Sequence, residues 1–514
     1  MISEDNIFIK DYKKVDVRFA LTYPNIYRTA MSSLGYNILY NYINERADTW
    51  CERITYPNIH SIESNTPLKS FDIISFSLQF EEDYFNVLEM LKQAEIPLRR
   101  EDRRSKDPLI IAGGPCATAN PMPMSPYIDI FIIGEGEVII NQFLDKYLEN
   151  KELSSFLDIK GIYIPEFDND AKIAIVNEME DAYHITRPII SRSDDDEYKT
   201  VFSDSIMLNV SRGCTRGCRF CMSSYLYRPM RETNIDKLVE TAIESRENTG
   251  LNKITLIGAA VSDYEGIEEL IKRLEGEGFQ ISTPSLRIES ITYESLRLLK
   301  ESGLKAITLA PESIDSLRKR INKSIPDEKI FSVIEDAVKL DFNIKLYFLI
   351  GLPHETMDDI KELCRYIERI ANMHTSRNKI KFSINPVVPK PHTPMQWMSY
   401  DFKDIKRKSK YIKRNLRKYS IKIESPKKAL IQYILSCGNS EVSEIIEKSM
   451  TRDVNIHEWM GYLPEYGIDD ELPWDGIDVG VKKEFLKIEY KRLETKKQTP
   501  WCNNSTCYNC GSCD

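Results

Sequence analysis

Short apolar runs ending in glycine or proline recur along the N-terminal part of the chain, with helical periodicity between them. "VDVRFALTYP" reads as a buried strand, followed by a turn and the helical "SSLGYNILYNYINE". "FDIISFSLQF", "DPLIIAGGP" and "IDIFIIGEGE" read as three further strands. Continuous apolar strands alternating with helices predict a parallel α/β sheet buried on both faces. Ligands of such sheets bind beyond the carboxyl ends of the strands, where "TYPNIY", "AGGP" and "GEGE" fall.

A polar, acidic stretch, "SRSDDDEYKTVFSDS", then reads as a linker. Beyond it, strand-like runs return at helix-length intervals: "SIMLNVSRGC", "KITLIGAA", "ISTPSLRI", "AITLAPES", "IKLYFLIGLP" and "IKFSINPVVP". Six βα repeats predict a partial barrel whose functional groups gather at the strand carboxyl ends. From Tyr400 the pattern becomes helical and charged. The expected architecture is therefore α/β, with a Rossmann-like domain over residues 1–190, a partial (β/α)6 barrel over 200–398 and a mostly helical region over 399–514.

Composition narrows the function classes. Hydrophobic content of 42% and charged content of 29% are ordinary for a globular protein of 514 residues. The start, "MISEDNIFIKDYKK", lacks an apolar core of signal-peptide length, and no segment approaches a membrane span. A cytoplasmic location is expected, where the 11 cysteines favour metal binding over a disulfide framework. A net charge of −9 gives no general pull toward nucleic acid. The basic run from Lys403 to Lys422 reads as a solvated helix face.

Chemistry enters with "SRGCTRGCRFC". Cys214, Cys218 and Cys221 follow the first barrel strand with C-x3-C-x2-C spacing, in a chain holding only 6 histidines. A closed zinc site wants four ligands. Three thiolates suit three corners of a 4Fe–4S cluster and leave the fourth iron open. Buried cysteines acting as small hydrophobes do not gather in a Gly/Arg-rich loop at a strand end. A second group, Cys502, Cys507, Cys510 and Cys513, ends the chain between Trp501 and Asp514. Its spacing allows one tetrahedral S4 ion, iron or zinc, or a second cluster.

The triplet loop, with Phe220 before its last cysteine, resembles the signature of the radical S-adenosylmethionine (SAM) superfamily. The resemblance runs strand by strand from about residue 205 to 395. It implies that the open iron chelates the amino and carboxylate groups of SAM, which is cleaved to a 5′-deoxyadenosyl radical. Gly258 and Ala259 in "LIGAAVSDY" fall where the family meets the methionyl amino group, without its frequent Gly-Gly-Glu. Arg287 in "SLRIES" falls where the family holds the carboxylate, and Glu312 and Ser313 in "LAPES" where it approaches the ribose and methionyl group. Gly351 and Pro353 in "LIGLPHET" match the element bordering the adenine.

The N-terminal domain resembles the cobalamin-binding domain of class B radical SAM methyltransferases, on "AGGPCATANP" and "IIGEGE". The family's Asp-x-His-x-x-Gly is missing, and the equivalent loop "YPNIYRTAMSSLG" has no histidine. The resemblance therefore implies cobalamin without a histidine on cobalt, with Tyr23 and Tyr27 near its lower face and Gly113, Gly114, Pro115, Gly134 and Glu135 along its tail. The other reading of the glycines is that they serve turns alone. "PVVPKPHTPMQW", "LPWDGIDVGVKKEFLKIEY" and the cysteine-rich end resemble a subgroup that includes the enzyme methylating a glutamine α-carbon in methyl-coenzyme M reductase. That resemblance implies a protein substrate, a low-potential electron donor, a single thiolate-bound iron in the tail, and two uses of SAM, one to methylate cobalamin and one to make the radical. A tRNA methylthiotransferase is the alternative; it calls for three more N-terminal cysteines, and only Cys51 and Cys116 are there.

Overall fold

The computed structural model describes residues 2–193, 195–202, 204–284, 286–374, 376, 379–502 and 507–513. Part of the linker (Asp194, Ser203), Ser285 on the third barrel repeat and Asn503 to Thr506 of the tail lie outside them. The N-terminal sheet contains β1 (Val17–Tyr23), β2 (Thr49–Thr55), β3 (Ile73–Ser77), β4 (Leu109–Gly113), β5 (Ile130–Ile132) and β6 (Ile162–Tyr163), in the order 2-1-3-4-5-6. All neighbours are parallel except β6, which pairs antiparallel with β5. Side chains alternate between two apolar layers: Phe19 and Leu21 enter one core, Ala20 the other. Helix α1 (Leu34–Asn44) covers the first layer with Tyr36, Tyr40 and Ile43, which the helical repeat sets on one side.

Strand β2 was not expected, because "TWCERIT" carries two charges. All seven of its residues are buried. Arg53 is the reason this is tolerated: its Nε meets Glu63 at 2.6 Å and its Nη2 meets Glu4 at 2.6 Å, all three side chains being almost fully buried. The guanidinium also lies 4.8 Å from the Tyr40 ring centroid. A buried charge persists only when paired and hydrogen-bonded, and here it is both.

The six expected barrel strands are β7 (Ile206–Asn209), β8 (Lys253–Ile257), β9 (Gln280–Ser282), β10 (Ala306–Glu312), β11 (Asn343–Ile350) and β12 (Ile380–Pro386). A short seventh, β13 (Ile421–Ile423), adds to the edge. They form two parallel sheets, 7-8-9 and 10-11-12-13. The C-terminal region is mostly helical, its last helix being α2 (Lys483–Thr495). It also stitches the parts together. Ile477–Asp478 pairs with Ala171–Lys172 of the N-terminal region, and the Asn120 amide donates to the carbonyls of Ser436 and Gly438. Among the described residues no helix is long and apolar enough to cross a membrane.

Replacing Arg53 by alanine leaves Glu4 and Glu63 buried without their cation. Removing one partner from such a group costs roughly 3–5 kcal/mol. Chemical denaturation of R53A should show a loss of that order, whereas an exposed control such as Lys69→Ala should change little.

Candidate functional site

The triplet sits in a loop closed at its base by a short antiparallel ladder between Ser211–Arg212 and Arg231–Glu232. Inside, the Cys221 amide donates to the Cys218 carbonyl at 3.0 Å and the Tyr225 hydroxyl donates to the Gly217 carbonyl at 3.2 Å. Cys214 and Cys218 are buried and Cys221 is half-buried. Burial pushes all three thiols up, while the Arg287 guanidinium favours the thiolate. Arg287 approaches Cys218 most closely, with Nη2 at 3.8 Å from Sγ, and also holds Glu289 at 2.8 Å.

Around this loop lie buried polar atoms without a hydrogen-bond partner among the described residues: Arg287 Nε, Glu289 Oε2, Ser313 Oγ, Ser211 Oγ and Arg216 Nη1. Such atoms are costly to bury, and their gathering at the strand ends fits a polar ligand beside the thiols. Among the described residues no three His, Cys, Asp or Glu side chains converge on a single ion.

The other expected SAM residues are spread around the mouth. Gly258 and Ala259 line a cavity described below. Glu312 is tied to Lys323 at 2.8 Å. Phe220 packs half-buried against the core. The Gly351 amide donates to Glu355 at 2.8 Å, and Pro353 follows half-buried in the same turn.

A cavity of about 350 Å³ joins the two domains. One end enters the N-terminal domain between the sheet (Leu21, Ser75, Ile111) and α1 (Ile38, Leu39). The other reaches Ser211, Gly213, Tyr227, Gly258 and Ala259 at the barrel mouth. Gly113, Gly114, Pro115, Gly134 and Glu135 line it too, so residues read separately from sequence meet in one space. Ser33, Gln79, Arg212 and Tyr227 also line it and had no sequence signal.

One expectation needs correction. Tyr23 and Tyr27 do not line this cavity: Tyr23 packs edge-on against Tyr36 at 5.3 Å, and the Tyr27 hydroxyl donates to Glu4 at 2.5 Å. Two of the cavity glycines are also required by the chain itself. At Gly134 (φ 115°) an added Cβ would lie 2.1 Å from the Ala174 carbonyl oxygen, and at Gly114 (φ 100°) 2.7 Å from that of Leu78. Their left-handed backbone serves tight turns.

Glu135 connects the cavity to the cysteine loop. Its carboxylate takes Arg212 Nη1 and Arg231 Nη2, each at 2.9 Å, and the Val176 amide at 2.8 Å. Burial alone would raise its pKa, but Arg212 and Arg231 outweigh that and hold it below the ordinary glutamate value. Arg212 stands two residues before Cys214.

The tail straps the loop from the other side. The Cys502 amide donates to the Thr215 carbonyl at 3.0 Å, and the Trp501 ring lies over Arg216, 3.1 Å from guanidinium carbon to centroid. Asn322 donates to the carbonyls of Arg216, Gly217 and Thr499. Buried Arg219 reaches Glu489 of α2 at 2.9 Å. Of the tail cysteines, Cys507 and Cys513 are exposed, Cys502 is half-buried and Cys510 is buried. Cys507 and Cys510 lie near enough to Cys502 to raise its thiol further, while Arg228 favours the thiolates of Cys502 and Cys510.

Comparison with known proteins follows this geometry. Residues 35–165 match the family model of radical SAM proteins, N-terminal, and residues 208–367 match that of the radical SAM superfamily. The chain belongs to the radical SAM superfamily. Within it, the chain shares a family with uncharacterized protein MJ0966 of Methanocaldococcus jannaschii, 30% identical over 466 residues, covering 87% of this chain and 97% of that one. Uncharacterized methyltransferase PH0819 of Pyrococcus horikoshii is 22% identical over 268 residues, 51% of this chain and 58% of its own. The fold is also that of the radical SAM methyltransferase TsrM from Kitasatospora setae, solved with cobalamin and a [4Fe–4S] cluster: TM-score 0.53, 12% identity, 74% of this chain and 77% of that one.

The Glu135 clamp has a defined pH dependence. Its lowered pKa means that its contribution is full above the unfolded value, about 4.3, and is lost as pH falls below that toward the folded one. Thermal melts between pH 7 and 3 should show Glu135→Gln less stable at neutral pH, with the difference from the parent narrowing in acid. A constant difference across that range would contradict the clamp.

Proposed function

We propose that the chain is a cobalamin-dependent radical SAM methyltransferase acting on an unactivated sp3 carbon. The observation carrying this reading is the shared cavity, which opens on the sheet–helix slot of the N-terminal domain at one end and on the barrel mouth beside the cysteine loop at the other. In this reading Cys214, Cys218 and Cys221 hold three irons of a 4Fe–4S cluster. Bound together, cluster and SAM supply a carbon-centred radical, and cobalamin supplies a methyl group that a substrate radical can take. Arg287 sets a positive charge beside Cys218 and, with Gly258, Ala259 and Ser313, offers groups for the methionyl end of SAM. Buried Arg216 pairs with Asp263 at 2.6 Å and holds the loop rigid beneath them.

The cavity walls do the selecting. Holding the reacting carbon within reach of both cofactors, away from water, confines a reaction that free radicals would spread. The slot between β3, β4 and α1 is apolar and suits the nucleotide tail of cobalamin, with Gln79 and Ser33 as polar contacts at its rim. The substrate in this reading is a protein segment, and the resemblance of the late segments points to a glutamine α-carbon in methyl-coenzyme M reductase. The four tail cysteines take one iron or zinc once drawn together. A methylthiotransferase finds less support: Cys51 and Cys116 belong to different core clusters, so they do not begin an auxiliary site.

Anaerobic reconstitution tests both halves separately. The Cys214/Cys218/Cys221→Ala triple variant should lose all 5′-deoxyadenosine formation from SAM under dithionite. Ser75→Trp, which fills the slot, should reduce cobalamin retention by at least ~10-fold while deoxyadenosine formation persists, since the slot lies away from the triplet. Cobalamin retained in full by Ser75→Trp would contradict the slot assignment. Peptide methylation is read by mass spectrometry on the glutamine segment of the reductase; a modified tRNA without methylated peptide would contradict the protein substrate.

A further inference from the structure

A dense run of positive charge lies outside the site, on the helix Phe402–Asn415 that crosses from strand β12 to strand β13. Those strands are parallel, so the helix runs back from the carboxyl ends of the barrel strands toward their amino ends. Its inner side is apolar, with Ile405 and Ile412 buried in the core. Its first turns are anchored at the barrel rim. Ile405 Cδ1 lies 3.0 Å from where a Cβ on Gly351 would stand, and Lys408 Nζ reaches the Glu355 carbonyl at 2.8 Å and its carboxylate at 2.9 Å.

The outer side carries cations alone. At about 100° per residue, Lys403, Lys406, Arg407, Lys410, Lys413 and Arg414 fall within about a third of the circumference, over roughly 16 Å of axis. All six are exposed. Asp404, the one acid of this helix, lies on the flank of the arc, paired with Arg407 at 2.6 Å and with buried Lys408 at 2.7 Å. Among the described residues the ammonium groups of Lys403, Lys410 and Lys413 have no hydrogen bond or ion pair. Lys406 and Arg414 lie over the rings of Phe402 and Tyr411, 5.5 and 5.7 Å from the centroids. Lys403, Lys406, Arg407, Lys410 and Arg414 wall one open groove of about 570 Å³, to which Met357 and Tyr411 give the apolar surface. No acid lines it. Lys403 and Arg407, Lys406 and Lys410, and Lys410 and Arg414 each stand four residues apart, a spacing at which like charges destabilise a helix. Stability therefore does not account for the stripe, whereas an anionic partner does.

We infer that this groove docks an acidic helical segment of the protein substrate. The inference rests on the reading of the substrate as a protein. Carboxylates three and four residues apart share one side of a helix, as these cations do, so the two stripes pair while Met357 and Tyr411 receive apolar side chains between them. The groove begins beside the turn from Gly351 to Glu355, at the rim of the barrel. A segment docked there holds a remote part of the substrate while the target carbon enters the mouth, which is how binding far from the reacting atoms serves their placement. Single-stranded RNA fits less well. Its bases need open aromatic faces, and here Lys406 and Arg414 cover the rings of Phe402 and Tyr411. A long polyanion also meets the repulsion of a chain of net charge −9 beyond the groove.

The test uses the reconstituted full chain and a fluorescein-labelled helical peptide with glutamates alternately three and four residues apart. At low ionic strength fluorescence anisotropy should show this peptide binding wild type, and its glutamine counterpart failing to bind. Lys406→Glu/Lys410→Glu should weaken binding at least ~10-fold and Lys406→Gln/Lys410→Gln by less, with both gaps closing at high salt. Lys13→Glu/Lys305→Glu, which makes the same charge change outside the groove, should bind as wild type. Intact methyl-coenzyme M reductase should displace the peptide from wild type. Equal binding by wild type and the groove variants, poly-uridine bound more tightly than the peptide, or no displacement by the reductase overturns the docking. Formation of 5′-deoxyadenosine from SAM is read in the same samples and should be unchanged in every variant. Its absence from wild type overturns the radical SAM reading instead, and the binding arms then decide the docking on their own.

Discussion

The carboxylate of Glu135 is the constraint on which the rest of the site depends. It sits where the fifth strand of the N-terminal sheet gives way to a helix, and it binds two arginines from the base of the cysteine loop. Neither half of the chain holds the other by this contact alone, since the C-terminal region also bridges them. What Glu135 fixes is register: the sheet's carboxyl ends face the barrel's carboxyl ends across one cavity. An ion group that is buried and fully hydrogen-bonded has few alternative geometries, which is the sense in which it specifies an arrangement.

The opposite side of the loop is fixed differently. There the restraint is distributed among the tail strap, Asn322 and the Arg219–Glu489 pair, with the C-terminal helix acting as a backing plate. Between the two restraints the loop carries thiols that burial makes reluctant to ionise and polar atoms that no described residue satisfies. That is a poor arrangement for stability and a suitable one for binding a charged cofactor.

Much of this was legible in the sequence, and the exceptions have physical causes. The six barrel strands could be read because buried parallel strands are continuous apolar runs. Strand β2 could not, because Arg53 and Glu52 look solvent-facing until Glu4, Glu63 and the other partners are in place. The clamp was invisible for a similar reason: Arg212 and Arg231 lie 77 and 96 residues from Glu135, and no local pattern announces such a pair. Tyr23 and Tyr27 were placed near the lower face of cobalamin from their position in the loop that replaces the family's histidine motif, but a loop position does not tell which way a side chain turns.

The central claim is that one cavity holds both cofactors face to face. Pulsed electron paramagnetic resonance on the protein reconstituted with iron, sulfide and cobalamin, with cluster and cobalt both in paramagnetic states, measures their separation. The account predicts a strong dipolar coupling, as for spins at opposite ends of a single small cavity. Two signals that relax independently, with no resolvable coupling, would contradict it.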